Sequence, residues 1–197
     1  MFKKTLLVSA LLLMSNSAVA VCKSPLLDNY LQPTSHLEFI QCKVMPNQKD
    51  LTIFLIPSDA GPSTEIDLDI LVVNESGTIV NMDKIKLLKD TFGLSIDTVN
   101  YKLNSNDIAF GVDINNGNYT NRTLYIMKGQ DLIPVASDIG VELNDEDSTI
   151  KRSIDIGKMD KSGFSDLIVK EGKTKFTLKY NESTESYDVP KTLKYSF

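Results

Sequence analysis

The sequence predicts a mainly β protein: a single antiparallel β domain, sandwich or barrel-like, with a short N-terminal helical arm tied to it by a disulfide. Three observations predict it. From about Leu37 almost to the end, apolar residues alternate with polar ones, the period of a half-buried strand. Gly, Asn and Asp interrupt these runs at short intervals, as turns require. Sustained helical periodicity is missing, so about ten to twelve short strands must bury their apolar faces against one another.

Met1–Ala20 (MFKKTLLVSALLLMSNSAVA) reads as an export signal, outside the folding unit. Lys3 and Lys4 form a positive start, Thr5–Met14 an apolar stretch, and Ala18-Val19-Ala20 a small-residue cleavage site. The apolar stretch is shorter than the roughly 20 residues a membrane-spanning helix needs. No later run replaces it, so no transmembrane helix is expected. Lipidation of Cys22 would need cleavage after Val21, where such signals carry a small residue, so a lipid anchor is not expected. Cleavage after Ala20 removes two lysines and takes the formal net charge from −5 to −7. The expected location is the periplasm or the exterior of a bacterial cell. The acidic balance argues against nucleic acid and anionic membrane surfaces as partners.

The expected organisation is signal 1–20, disulfide-stapled arm 21–48 and β-rich domain 49–197. Ser24 to Leu31 reads as one short helix, with Ser24 as its cap, Pro25 in its first position and Pro33 stopping it. Cys22 and Cys42 are the two cysteines, and export to an oxidising compartment predicts that they pair. The bridge would close a loop of about 21 residues and contribute on the order of 3 kcal/mol in the chain-entropy model. The single histidine, His36, falls inside that loop. One histidine and no CxxC spacing predict neither a metal site nor a cofactor.

The strand candidates follow in order. Leu51–Ile56 runs to Pro57. Glu65–Ile70 alternates strictly, continues through Val73, and turns at Asn74-Glu75-Ser76-Gly77 into Thr78–Val80. Met82–Asp90 reads helically but is short enough to be a strand or a loop. Ile108, Phe110, Val112 and Ile114 share one strand face. Thr123–Met127 and Asp131–Val135 flank Lys128-Gly129-Gln130, a tight hairpin. Ile150–Ile156, Phe164–Val169, Thr174–Tyr180 and Thr192–Phe197 complete the set. Asn144-Asp145-Glu146-Asp147 reads as a solvated loop.

No catalytic constellation is evident, and the expectation is a protein without enzymatic activity. Asp67 and Asp69 lie on one strand face, roughly 7 Å apart; they read as the solvent side of an amphipathic strand whose Ile66, Leu68 and Ile70 face the core. The sequons at Asn74, Asn118, Asn121 and Asn181 mark exposed turns rather than glycosylation in a bacterial protein.

The most specific stretch runs from Asp160-Lys161-Ser162-Gly163-Phe164-Ser165-Asp166-Leu167-Ile168-Val169 to Phe176–Glu182 and Ser186-Tyr187. Residues 160–187 resemble the strand unit of FG-GAP/VCBS-like repeats of exported bacterial proteins. The resemblance implies β-structure and a binding or scaffold role. It does not extend to calcium, because the alternating acids of the calcium-binding members reduce here to Asp160 and Asp166.

The functional expectation is therefore recognition of a macromolecular partner in the bacterial envelope. An inhibitor or immunity protein is one concrete form of it, suited to a basic toxin or hydrolase by charge. The first alternative is a hydrolase using carboxylates such as Asp67, Asp69 or Asp166. The second is a small outer-membrane barrel, suggested by the terminal alternation of Leu193, Tyr195 and Phe197.

Overall fold

A computed structural model describes Tyr30 and residues 40–45, 48–59, 65–88, 91, 93–145 and 148–195. The signal segment, the expected arm helix apart from Tyr30, Cys22, His36 and Phe197 lie outside the described residues. Cys42 lies within them, and no described cysteine is free.

The described chain is built from strands, in three successive groups. The first contains β1 (Gln41–Met45), β2 (Gln48–Asp59), β3 (Glu65–Asn74) and β4 (Ile79–Leu88). The second contains β5 (Gly93–Lys102), β6 (Ile108–Asn115), β7 (Tyr119–Lys128) and β8 (Asp131–Asp145). Both are antiparallel meanders. The third contains β9 (Ser148–Met159), β10 (Ser165–Glu171) and β11 (Thr174–Leu178), followed by the small hairpin of β12 (Tyr180–Asn181) and β13 (Ser186–Tyr187).

The expected antiparallel domain is in fact a mixed sheet. The first two meanders join through a parallel contact of β4 with β8, at Met82 and Asp131. The side-chain amide of Asn81, 4 % exposed, donates to the carbonyls of Gly129 and Asp131 (2.9 and 3.1 Å) and pins this junction. The strand order is β1-β2-β3-β4-β8-β7-β6-β5. The sheet curls until β1 packs beside β5, where Lys43 donates to the Ile96 carbonyl.

Inside this curl lies one core, including Ile53, Leu55, Leu68, Ile70, Val112 and Tyr125. A second core, including Tyr101, Leu124, Ile139, Leu167 and Val169, fills the space between the opposite face of the second meander and β9–β11. Strand alternation lets β7 serve both, with Leu124 and Ile126 in one core and Tyr125 in the other. A third cluster, Phe54, Ile56, Leu71 and Val73, lies on the outer face of β2 and β3.

Met82–Asp90, open between helix, strand and loop in the sequence, resolves to a strand in its described part: Met82–Leu88 is the body of β4, paired along its length with β3. Two expectations need correction. The described part of the expected closing strand Thr192–Phe197, residues 192–195, is not a strand: a 3₁₀ turn spans Lys191–Leu193 after Pro190. The strands are also longer than the sequence suggested, up to 15 residues in β8. The reason is that β8 continues through residues that usually stop strands. Ser137 and Asp138 together oppose Thr123 in a bulge, with Asp138 at φ 59° and its N–H bonded to Thr123 Oγ1. The bulge bends β8, so its start lies beside β4 and its end pairs with β9. The Lys128–Asp131 hairpin forms as expected, with Gly129 at φ 65° in the first central position.

Candidate functional site

One end of the molecule gathers the turns β5–β6, β7–β8, β9–β10 and β12–β13. The β5–β6 turn is organised by Asn104, whose Oδ1 accepts from the N–H groups of Asn106 and Asp107. The β9–β10 turn is organised by Asp160, which accepts from the N–H and hydroxyl of Ser162. Those bonds, the hydroxyl first, hold the Asp160 carboxyl below its ordinary range. The two turns are joined by the N–H of Ser165 donating to the carbonyl of Leu103 (2.6 Å).

On this frame stands an aromatic stack. The Phe164 ring lies face to face with Tyr180, centroids 3.7 Å apart, and Tyr187 meets Tyr180 edge-on. The Tyr187 hydroxyl is buried and donates to the Ser165 carbonyl (2.6 Å). Phe164 and Tyr180 are partly buried, packed against the second core. Met159, at the end of β9 leading into the turn, is 54 % exposed. Charges ring the stack: Lys128 bridges both oxygens of Glu185 (2.8 Å each), and Lys179 holds Asp166 (2.6 Å). Tyr180 also feels Asp107 and Glu182, and its phenol is raised above its ordinary range by burial first and by Glu185 next. Such a patch, apolar at the centre and polar at the rim, has the anatomy of a recognition surface.

A different arrangement lies along the β5–β7 face. Arg122 grips Asp113 with Nε and Nη2 (2.6 and 2.8 Å) while Nη1 reaches Asp97 and the Tyr101 hydroxyl. Thr98, Val99 and Asn100 bulge out opposite Phe110, which places Asp97 and Tyr101 on the same side. Gly111 makes room for the arginine, since a Cβ there would sit 2.9 Å from its Cδ. Beyond Asp113 the face opens into a shallow hollow of about 340 Å³ lined by Gly93, Leu94, Ser95, Asp113, Asn115 and Thr120. Both Asp113 oxygens already serve Arg122, so the hollow has no unengaged carboxylate from that residue.

The acids singled out in the sequence are placed as follows. Asp67 and Asp69 share one face of β3, as expected, and both lie near Lys84 (3.4 and 3.6 Å). Asp69 is the largest influence raising the lysine above its ordinary range. Asp166 is on β10, in a different packed layer, with Oδ1 buried and without a hydrogen-bond partner. The described residues contain no group of three His, Cys, Asp or Glu able to hold a metal ion. They also contain no helix long and apolar enough to cross a membrane. Of the sequons, Asn74 and Asn181 organise turns, but Asn121 lies within β7 and donates to the Tyr195 carbonyl (2.8 Å).

Sequence reading passed over Arg122 and Arg152. A signal was available: only these two of the chain's 21 basic residues are arginines. Arginine's planar fork suits buried bidentate pairs better than lysine's point charge. No family model, curated protein or solved structure matches the chain.

Proposed function

We propose that this chain is an exported, non-enzymatic β protein that binds a macromolecular partner in the bacterial envelope. Its concrete form is an inhibitor or immunity protein directed at a basic toxin or hydrolase. The observation that carries the reading is the partly buried Phe164–Tyr180 stack inside a rim of charges where four turns meet, with the exposed Met159 at the end of β9 that leads into the Phe164 turn. Rigid aromatic anchors lose little entropy on binding, and the acidic balance of the chain steers a basic partner. The resemblance of residues 160–187 to FG-GAP/VCBS-like units supports the same surface, because those residues build it. Export through cleavage after Ala20 and a Cys22–Cys42 disulfide belong to this reading. Support for the disulfide comes from Cys42 not being a free thiol.

The test is capture. The exported chain, immobilised and exposed to periplasmic extract and to a panel of purified basic hydrolases, is expected to retain a partner whose association slows as salt rises. Met159→Asp should weaken retention at least tenfold without changing the far-ultraviolet spectrum. Retention of nothing, or retention indifferent to Met159→Asp, would overturn the proposal.

A further inference from the structure

The third group of strands ends in an open edge. β10 and β11 are joined by the tight loop Gly172-Lys173, with Gly172 at φ 54°, so Glu171 and Thr174 close the ladder. Antiparallel bonding alternates from that pair, which turns the N–H and C=O groups of Lys175 and Thr177 away from β10. β11 pairs with β10 and with no other described strand. No hydrogen bond from another described segment reaches Lys175 or Thr177, and both residues are exposed. A row of unpaired backbone groups of this kind is a template for a further strand.

The uncompensated charge at this edge is of one sign. Lys170 stands directly opposite Lys175 across the ladder, an arrangement that weakens a sheet. Lys170 is paired with Asp155 on β9, and Lys179 with Asp166. Lys173 and Lys175, both exposed, have no acid partner among the described residues. The imbalance is regional. Residues 148–197 contain ten lysines and arginines against seven acids, whereas residues 40–147 contain eight against seventeen.

We infer that the edge of β11 takes up an extended acidic segment of a partner protein as an additional strand. The backbone of that segment would bond to Lys175 and Thr177, and its acids would lie beside Lys175 and Lys173. Lysines on an edge oppose pairing with basic or apolar strands, and the same charge admits an acidic one. A second copy is the wrong occupant, because β11 laid against β11 would bring the lysines of one copy to those of the other. Lys173 and Lys175 lie at the end of the β10–β11 hairpin opposite to the Phe164 turn. The inference is therefore independent of the surface proposed for the basic partner.

Titration of the isotope-labelled exported chain with synthetic peptides, followed by NMR, tests it. The probe is a peptide of about eight residues that alternates Glu with Val, a usual strand length. One control carries Lys in place of every Glu; another keeps the acids but is N-methylated at every amide, so it cannot donate to a ladder. The acidic probe should shift the amide resonances of Thr174–Leu178 and slow hydrogen exchange at Lys175 and Thr177. Lys173→Glu/Lys175→Glu should weaken its binding at least tenfold while the β9 and β10 resonances stay in place. Met159→Asp should leave the binding unchanged, which separates this edge from the aromatic stack. Absence of binding, equal binding of either control peptide, or shifts centred outside β11 would overturn the inference.

Discussion

Arg122 and Arg152 show how much of this fold rests on single side chains. Arg122 neutralises two carboxylates that are themselves about as buried as it is, with 13–16 % of each side chain exposed. Arg122→Ala would leave Asp97 and Asp113 unpaired, so urea denaturation should show a loss of about 3–5 kcal/mol. Arg122→Lys, which keeps the charge but loses the fork, should recover only part of it. Arg152 lies under the Tyr195 ring (4.6 Å), pairs with Glu171 and donates to the carbonyls of Gly140 and Leu193. The Tyr195 ring covers Gly140 so closely that a Cβ there would stand 2.4 Å from it. Gly140→Ala should therefore cost about 1–3 kcal/mol by overpacking. Combined with Tyr195→Ala the two changes should be less than additive in a double-mutant cycle. The Asp160 turn has a pH signature. Its carboxyl titrates below the ordinary 3.8, so its stabilisation is complete above that value and is lost as pH falls through the lowered one. Ser162→Ala should move the Asp160 carboxyl resonance back upward in an NMR titration.

Among elements, β4 and β8 decide the architecture. The β4 segment MDKIKLLKD contains apolar residues at both helical and strand spacing, so its local pattern is ambiguous. Pairing with β3 selects the strand, because Asp67 and Asp69 then face Lys86 and Lys84 across the ladder. The junction of the two meanders has a narrow hydrogen-bonding contact, supported by the two bonds from Asn81. Asn81→Ala should cost about 1–2 kcal/mol, and amide exchange should accelerate most at Asp131 and its neighbours on β8. In contrast, β6 was legible residue by residue. Phe110 and Val112 enter the inner core, and Ile114 packs against it. The bulges at Val99 and Asp138 were not legible, because nothing local tells an extra residue within a strand from a regular one. They are paid for by partners distant in sequence. Arg122 lies 25 residues from Asp97, and Thr123 lies 15 residues from Asp138.

For the whole molecule, the two cores share a wall in β6–β8. Leu124→Ala removes a fully buried side chain from one core and disturbs the strand whose Tyr125 lies in the other. The expected loss is about 2–5 kcal/mol. Tyrosine fluorescence and far-ultraviolet dichroism should still report one coincident urea transition, since neither core keeps its wall without the other; separated transitions would show independent units. By itself the sequence determined that strands would dominate, which faces of β3 and β6 would turn inward, and where the Lys128–Asp131 and Asn74–Gly77 turns would fall. These follow from side-chain alternation and turn chemistry, which act within a few residues. Only the tertiary structure decided the parallel junction of β4 with β8, the curl that brings β1 to β5, the arginine hubs and the meeting of four turns around Phe164 and Tyr180. Each of those depends on groups far apart in the chain whose contacts become favourable only once the sheet has formed.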